Sequence, residues 1–398
     1  MNTEPKVEWK MYIILSVVAL VIVTAVAAVT RLWVLTAIPI GFLFGFFLQK
    51  GDLCGASAFS EVLLMKDWRK MWGMWVCIVV GMAGFALLDL LGWVALNPKP
   101  FLWVSWIVGG IVFGVGMVLA GGCVSGCLFK TGTGNINSMA GLVGIPLGIA
   151  MVEHGPLRTL HRTMKTFAIR SSDGGPVTLS SLTGLPFWLL AALLGVGTLI
   201  IAWAGRKQVQ TSTRESQLQR FLTRRWKPWQ AGLAIGLLAI PAYLSSAATG
   251  RNYPLGVTHG VLQAELLITD HNLDHVWQKK TPSSPGATPT APVGPPQKKV
   301  VWWLVLLVTG LVVGSWVSGR LSGEARLLPK PPEQTVVAFF GGILVGTGAA
   351  FATGCVIGNI LSGWALMSVG MFVFGIVTIL TNWITTYFYL MGGTLLRR

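Results

Sequence analysis

The chain has 398 residues, of which 53% are hydrophobic and only 11% charged, with a mean hydropathy of +0.67. Soluble domains carry about 25% charged residues, so this composition excludes an ordinary soluble protein. The formal charge of +16 is concentrated in polar connections. There it orients a membrane protein and draws small anions toward the surface, and it does not point to nucleic acid.

The first apolar run, 11–30, is too long for a signal h-region and has no convincing cleavage site, so it reads as a span. Further spans are predicted at 71–93, 101–121, 185–204, 231–248, 301–319, 335–353 and 364–392. Shorter helical pieces are predicted at 33–48, 55–65, 135–152 and 259–269. Three polar connections separate them. Residues 153–176 carry Arg158, Arg162, Lys165 and Arg170. Residues 205–230 hold seven Lys or Arg against one Glu and are assigned to the cytoplasm. Residues 278–299, QKKTPSSPGATPTAPVGPPQKK, have the composition of a linker that forms no core. The 18 tryptophans fall mostly near span ends, as in an interfacial belt.

The chain repeats itself. GGIVFGVGMVLAGGCVSGC, from Gly109, aligns without gaps to GGILVGTGAAFATGCVIGN, from Gly341, with identity at 10 of 19 positions. Cys123 falls opposite Cys355, and Cys127 opposite Asn359. A weaker echo joins GFLFGFFLQKGDLCGAS, from Gly41, to GLAIGLLAIPAYLSSAATGRNYPLGVT, from Gly232. Two-fold internal repeats of this kind are how many transporters are built. The expected organisation is a transmembrane half at 1–204, the basic connection 205–230, and a second transmembrane half at 231–398 that contains the linker.

Cys77 lies inside an ordinary span and reads as a small hydrophobe. Cys54, Cys123, Cys127 and Cys355 lie in Gly-rich segments. DLCGAS, TGTGNINS, GRNYPLGVT and GCVIGN are too polar for lipid, and broken backbone at membrane depth needs protein or a water-filled cavity around it. Four such breaks, two per repeat, imply short helices converging on a central path, with positive N-terminal ends that favour an anion. Thiols are weak donors and acceptors with a soft, polarisable sulfur. A row of them holds a sulfur-containing anion by shared weak contacts and releases it again, as conduction requires. A lysine or arginine in that row would bind more tightly and trap the ion. The candidate path residues are Cys54, Cys123, Cys127 and Cys355, with Gly122, Gly354, Asn359 and Thr258 beside them.

A reading from a different class is a membrane thiol-redox enzyme using Cys123 and Cys127, although their CxxxC spacing is not the CxxC of redox pairs. A metal site wants further thiolates or histidines at fixed spacing, and His271 with His275 reads as a solvated helix end. No phosphate loop, catalytic triad or carboxylate pair is visible, so neither an enzyme nor a cofactor is expected. Asp89 is the nearest candidate for an acid within a span.

GFLFGFFLQKGDLCGASAFSEV, GGIVFGVGMVLAGGCVSG, RRWKPWQAGLAIGLLA with ATGRNYPLGVT, and GGILVGTGAAFATGCVIGN resemble, in order, the four signatures of the YeeE/YedE family. These are multi-pass proteins of the bacterial inner membrane associated with thiosulfate uptake. The resemblance implies an hourglass of short helices meeting centrally and a cysteine pathway. The family's two GGC-type cysteines fall on Cys123 and Cys355, and its first-hairpin cysteine on Cys54. Members implicated in thiosulfate conduction tend to carry a further cysteine at the second-half hairpin, where this chain has PLGVT with Thr258. Cys127 is the candidate for the missing thiol, and another sulfur or selenium oxyanion is the alternative substrate. The resemblance also implies a small soluble sulfurtransferase-like partner on the cytoplasmic side. The fold expected is an all-α polytopic membrane protein with two internal repeats, spanning helices and short broken or re-entrant helices meeting at a central path.

Overall fold

The computed structural model describes residues 9–171, 174–204, 224–277, 298–327 and 330–392. Most of the basic connection 205–230 and of the linker 278–299 lies outside them. Among the described residues, ten helical segments are long and apolar enough to cross a membrane.

The first half contains α1 (Trp9–Thr30), α2 (Ala37–Gly51), α3 (Gly55–Met65), α4 (Arg69–Leu90), α5 (Trp103–Leu119), α6 (Val124–Gly132) and α7 (Ile136–Glu153). Two short pieces, α8 (Arg158–Thr166) and α9 (Leu179–Thr183), lead to α10 (Phe187–Ala204). The second half contains α11 (Pro228–Ala248), α12 (Thr258–Thr269), α13 (Trp302–Leu321) and α14 (Pro332–Phe351). A π-helical stretch (Val356–Leu361) then runs into α15 (Ser362–Ala365) and α16 (Val369–Tyr389). Two four-residue strands, Leu273–Val276 and Lys298–Val301, pair in parallel beside α12 and α13. Sequence reading had not anticipated them.

The repeats are inverted, and the helix contacts demonstrate it. Gly109 of α5 lies against the backbone of Ala352, and the residue matched to it, Gly341 of α14, lies against Ala120, which is matched to Ala352. Gly348 packs on Phe113, and its match Gly116 packs on Val345, the match of Phe113. These reciprocal contacts require α5 and α14 to run antiparallel about a pseudo-two-fold axis lying in the membrane plane. The outer pairs agree. Helices α2 and α13 run parallel through Gly41–Leu307 and Gly45–Leu311, as their counterparts α11 and α4 do through Gly232–Gly73 and Gly236–Val80. Without side chains at the seams, the backbones approach closely enough for dispersion to hold helices together where lipid offers no hydrophobic drive.

The two faces of the membrane follow from the same contacts. The C-terminal end of α2 meets the start of α11 at Gly51–Ala231 and the end of α13 at Lys50–Ser322, 2.7 Å. At its other end Thr36 bonds Ser245 near the end of α11. Lys50, Arg225 and Arg320 thus share one face, from which the basic connection leaves. Lys99, Arg251 and α8 belong to the other. Helices α1 and α10 are the most exposed spans, presenting Leu15, Val21, Leu199 and Ile200 outward, as lipid-facing helices do.

Three local expectations change. TGTGNINS is not a break at membrane depth: α6 ends at Gly132, Gly134 packs on the carbonyl of Arg326, and Asn135 caps α7 through Ser138, 3.2 Å. It is a turn at the basic face. The true break lies earlier, at Gly121–Cys123. The piece predicted at 135–152 is the full-length span α7, with Pro146 inside it. The span predicted at 364–392 is divided by a turn at Met367, whose φ is 54°.

A β-carbon on Gly342 of α14 would overlap the carbonyl oxygen of Gly141 in α7, and backbone cannot move aside as a side chain can. Gly342→Val is therefore expected to lower the melting temperature of the purified protein, by about 3 kcal/mol or more of stability. Gly195→Ala, with open space around it, is the control that should not. Equal melting of the two variants in detergent would refute the seam.

Candidate anion path

Cys54, Cys123 and Cys355 occupy one and the same structural position. Each is the extended residue immediately before a short helix: α3, α6 and the π-helical stretch with α15. None caps that helix with its side chain. A thiol is a poor acceptor, so it holds the first-turn N–H groups more weakly than Ser or Asp would. The position thus offers a soft sulfur and several aimed backbone donors together, at the positive end of a helix.

The breaks meet. Gly55, next to Cys54, packs on the side chain of Val356, next to Cys355. A β-carbon on Gly126 would overlap the Cys54 sulfur and stand 3.6 Å from that of Cys123, so this glycine lets two thiols come together. Cys123 Sγ also lies 3.3 Å from Ser125 Oγ, and Cys355 is within electrostatic reach of Cys123. All three are fully buried and free. They form a row leading from Cys355 through Cys123 to Cys54.

A lysine stands at each end of the row. Lys130 donates to the carbonyl of Gly121 at 2.7 Å, and Lys99 to the carbonyl of Thr353 at 2.5 Å. Gly121 and Thr353 are matched residues in the repeat, two before the cysteine in each half, and both have positive φ, 66° and 55°. Asn359 fastens the second break further: its amide donates to Ala352 and Gly354 carbonyls at 2.9 and 3.0 Å, and its oxygen accepts from Lys99 at 2.9 Å.

Beyond Lys99 a pocket of about 150 Å³ opens, lined by Arg251, Tyr253, Gly256, Thr258, Gly354 and Gly358 among others. Arg251 stacks near the Trp303 ring, 5.1 Å to its centroid, and the Tyr253 hydroxyl donates to the Gly358 carbonyl at 2.6 Å. Burial, with the neighbouring Arg251 charge assisting, brings Lys99 down to about 7, and burial brings Arg251 down to about 10. At the basic face a second pocket of about 320 Å³ carries Arg320 and Arg326 beside Thr131 and Thr133. Among the described residues no cluster of three His, Cys, Asp or Glu is placed to hold a metal ion.

A profile described as sulphur transport matches residues 50–384. The chain belongs to this family. It is 32% identical over 358 residues to the thiosulfate transporter TsuA of Spirochaeta thermophila, covering 87% of this chain and 96% of that one. It is 28% identical over 341 residues to the thiosulfate transporter TsuA of Escherichia coli, covering 84% and 88%. A shorter stretch of 104 residues, a quarter of each chain, is 31% identical to the probable transporter YedE of Escherichia coli.

Within this member of the sulphur transport family, the other sequence candidates fall as follows. Gly122 and Gly354 precede the paired cysteines. Cys127 turns from the row: its thiol donates to the Gly122 carbonyl at 3.8 Å and packs against Gly141 of α7. Cys123 and Cys127 therefore engage different partners. Thr258 is not the counterpart of Cys54. The residue before α12 is Val257, fully buried, and Thr258 sits one step inside the helix and lines the outer pocket. Asp89 is exposed at the end of α4.

Sequence reasoning missed Lys99, Lys130 and Arg251. It kept cations out of the row, and the structure places them at its ends. Each had a signal: Lys99 is the lone cation in the apolar loop GWVALNPKPF, Arg251 sits in a segment already marked as too polar for lipid, and Lys130 closes CLFK.

Lys99 is cationic below about pH 7 and neutral above it, so the pocket beyond it loses attraction for anions as pH rises from 6 to 8. The expected outcome is a rising KM for anion uptake across that window, measured in proteoliposomes, and a flat profile with a higher KM for Lys99→Gln. A wild-type KM independent of pH would refute this role.

Proposed function

We propose that the chain is a thiosulfate permease of the bacterial inner membrane, conducting the anion along the row Cys355, Cys123, Cys54. The observation that carries this reading is three thiols at the N-terminal ends of three convergent short helices, with a lysine at each end of the row. Thiosulfate has a soft terminal sulfur and a hard sulfonate end. Thiols meet the first through polarisability, and open helix N–H groups meet the second through hydrogen bonds. Both contacts are exchangeable and neither forms a bond, so the ion moves by hand-over among several weak sites. No chemical conversion is needed, and the chain acts as a transporter and not as an enzyme.

Orientation follows from charge. The basic connection 205–230 lies on the cytoplasmic side, which turns the Arg251–Lys99 pocket outward and the Arg320–Arg326 pocket inward. Thiosulfate enters at the first and leaves near Lys130. A small soluble sulfurtransferase-like protein on the cytoplasmic side is the partner this reading implies. Cys123 and Cys127, the pair a redox reading would need, engage different partners, Ser125 and the Gly122 carbonyl, and this does not support the redox alternative.

Cys123→Ala and Cys355→Ala are expected to abolish thiosulfate uptake in proteoliposomes, falling by about 10²-fold or more for the loss of a shared positioning contact, with normal expression and melting. Cys77→Ala should transport normally. Full uptake by both well-folded path variants would refute the reading.

A further inference from the structure

We propose that the apolar groove between α4 and α16 is a lipid site, which takes one acyl chain of a phospholipid from the leaflet at the basic face and sets its phosphate beside Lys66. The site stands apart from the anion path and does not depend on which ion that path conducts.

The groove has a volume of about 240 Å³. Its lining runs along α4 from Trp68 to Ile78, with Ile379 of α16 opposite. Phe59 of α3 and Ile360 of the π-helical stretch, both buried, form its floor. Every side chain that lines it is aliphatic, aromatic or methionine. Helix α4 starts at the basic face, where Gly73 lies against the carbonyl of Pro228 at the start of α11. The ~10 residues from Trp68 to Ile78, at ~1.5 Å each, give a depth of about 15 Å, half of the ~30 Å hydrocarbon core. The groove therefore reaches from one interface to the midplane, the span of a single acyl chain.

Size and surroundings name the occupant. Leu64 and Met65 beside the mouth, and Ile376 and Leu380 beside Ile379, are exposed, and on helices within a bilayer such residues face lipid. A helix of the same length, ~10 Å across, fills roughly 1,200 Å³, so the groove admits a hydrocarbon chain and no helix of a second copy. The polar groups at the mouth suit a headgroup. Arg69 is committed to Asp67, and Lys70 to Asp52 and Glu61, each at 2.6 Å. Lys66, exposed at the end of α3, is in no ion pair with a described carboxylate. Further along the groove Trp75 and Trp364 donate to Thr198 and the Met371 carbonyl. The indole N–H groups of Trp68 and Trp72, nearer the interface, have no partner among the described residues, and rings at that level turn their polar edge to the headgroups.

The acyl chain braces the centre. Phe59 lies on the helix that begins at Cys54, and Ile360 on the stretch that begins at Cys355. A void beside them would forfeit the dispersion contacts of that flank, and a bound chain supplies them.

The test places the full chain in liposomes containing a phospholipid with a diazirine midway along one acyl chain and maps the photo-adducts by peptide mass spectrometry. Adducts are expected at Phe59 and Ile360, which lipid at the protein surface does not reach, as well as on exposed α10. Lys66→Gln, a surface change, should lower groove labelling by about fivefold, the scale of one basic residue at a membrane surface. Ile379→Trp, which fills the groove with an indole, should abolish it while α10 is still labelled. In a second readout, phospholipid added to delipidated protein in detergent should raise the melting temperature of wild type and leave Ile379→Trp unmoved. The site is overturned if adducts are confined to exposed faces with none at Phe59 or Ile360, or if groove labelling is equal in wild type and Lys66→Gln. Groove residues that cross-link to a second copy of the chain in place of lipid would overturn it as well.

Discussion

Everything in this structure depends on how a helix is allowed to end inside a bilayer. Hydrocarbon offers no partner to the open N–H groups of a first turn, and each unsatisfied group costs several kcal/mol there. Three helices nevertheless begin in the protein interior without a side-chain cap, at Cys54, Cys123 and Cys355. Such ends are stable only if the protein gathers them into a shared polar centre, and the inverted repeat does this. The antiparallel pair α5 and α14, drawn together through Gly109, Gly341 and Gly348, delivers Cys123 and Cys355 to the two sides of one axis. Packing of bare backbone sets the depth of the thiols, so the function of the centre rests on glycine seams some distance from it.

The symmetry is close at the breaks and then deliberately incomplete. Gly121 and Thr353 share a left-handed conformation and each gives its carbonyl to a lysine, yet the lysines come from unrelated places, Lys130 from α6 and Lys99 from the loop before α5. Cys127 and Asn359 are matched in sequence and both reach back to the turn before them, the first by one weak thiol contact and the second by two amide bonds plus its hold on Lys99. The outer break is therefore tied more firmly than the inner one. At the hairpins Cys54 is matched by the apolar Val257. The thiol row is accordingly lopsided, with two sulfurs near the basic face and one toward the outer pocket.

Much of this was legible in the sequence, for physical reasons that differ by element. The spans declared themselves because a bilayer demands about 20 apolar residues, and α4, α5, α11, α13 and α14 lie within a few residues of their expected bounds. The gapless match of Gly109 to Gly341 registered the repeat because helix seams tolerate so few residue types. Hand was not legible: inverted and parallel repeats have the same sequence pattern, and only the reciprocal Gly109–Ala352 and Gly341–Ala120 contacts separate them. TGTGNINS misled because a polar turn at the membrane surface has the same composition as a break within it. Lys99 and Lys130 escaped notice because a lysine that donates to a carbonyl made available by a left-handed turn has no partner visible in the one-dimensional chain.

The cations at the ends of the row and the thiols within it answer opposite requirements. An anion leaving water must be offered charge, or the desolvation cost bars it. In the proposed path, Lys99 and Arg251 are the cations placed to supply that charge at one end, and Lys130 at the other. The same charge placed between Cys355 and Cys54 would hold the ion and stop transport, since conduction needs sites shallow enough to leave. A thiol with open N–H groups beside it is such a site: polar enough to replace water and too weak to trap. Selectivity then divides along the same line. In the proposed permease, charge at the mouth would distinguish anion from cation, and the polarisable row would distinguish an anion that ends in sulfur from one that ends in oxygen.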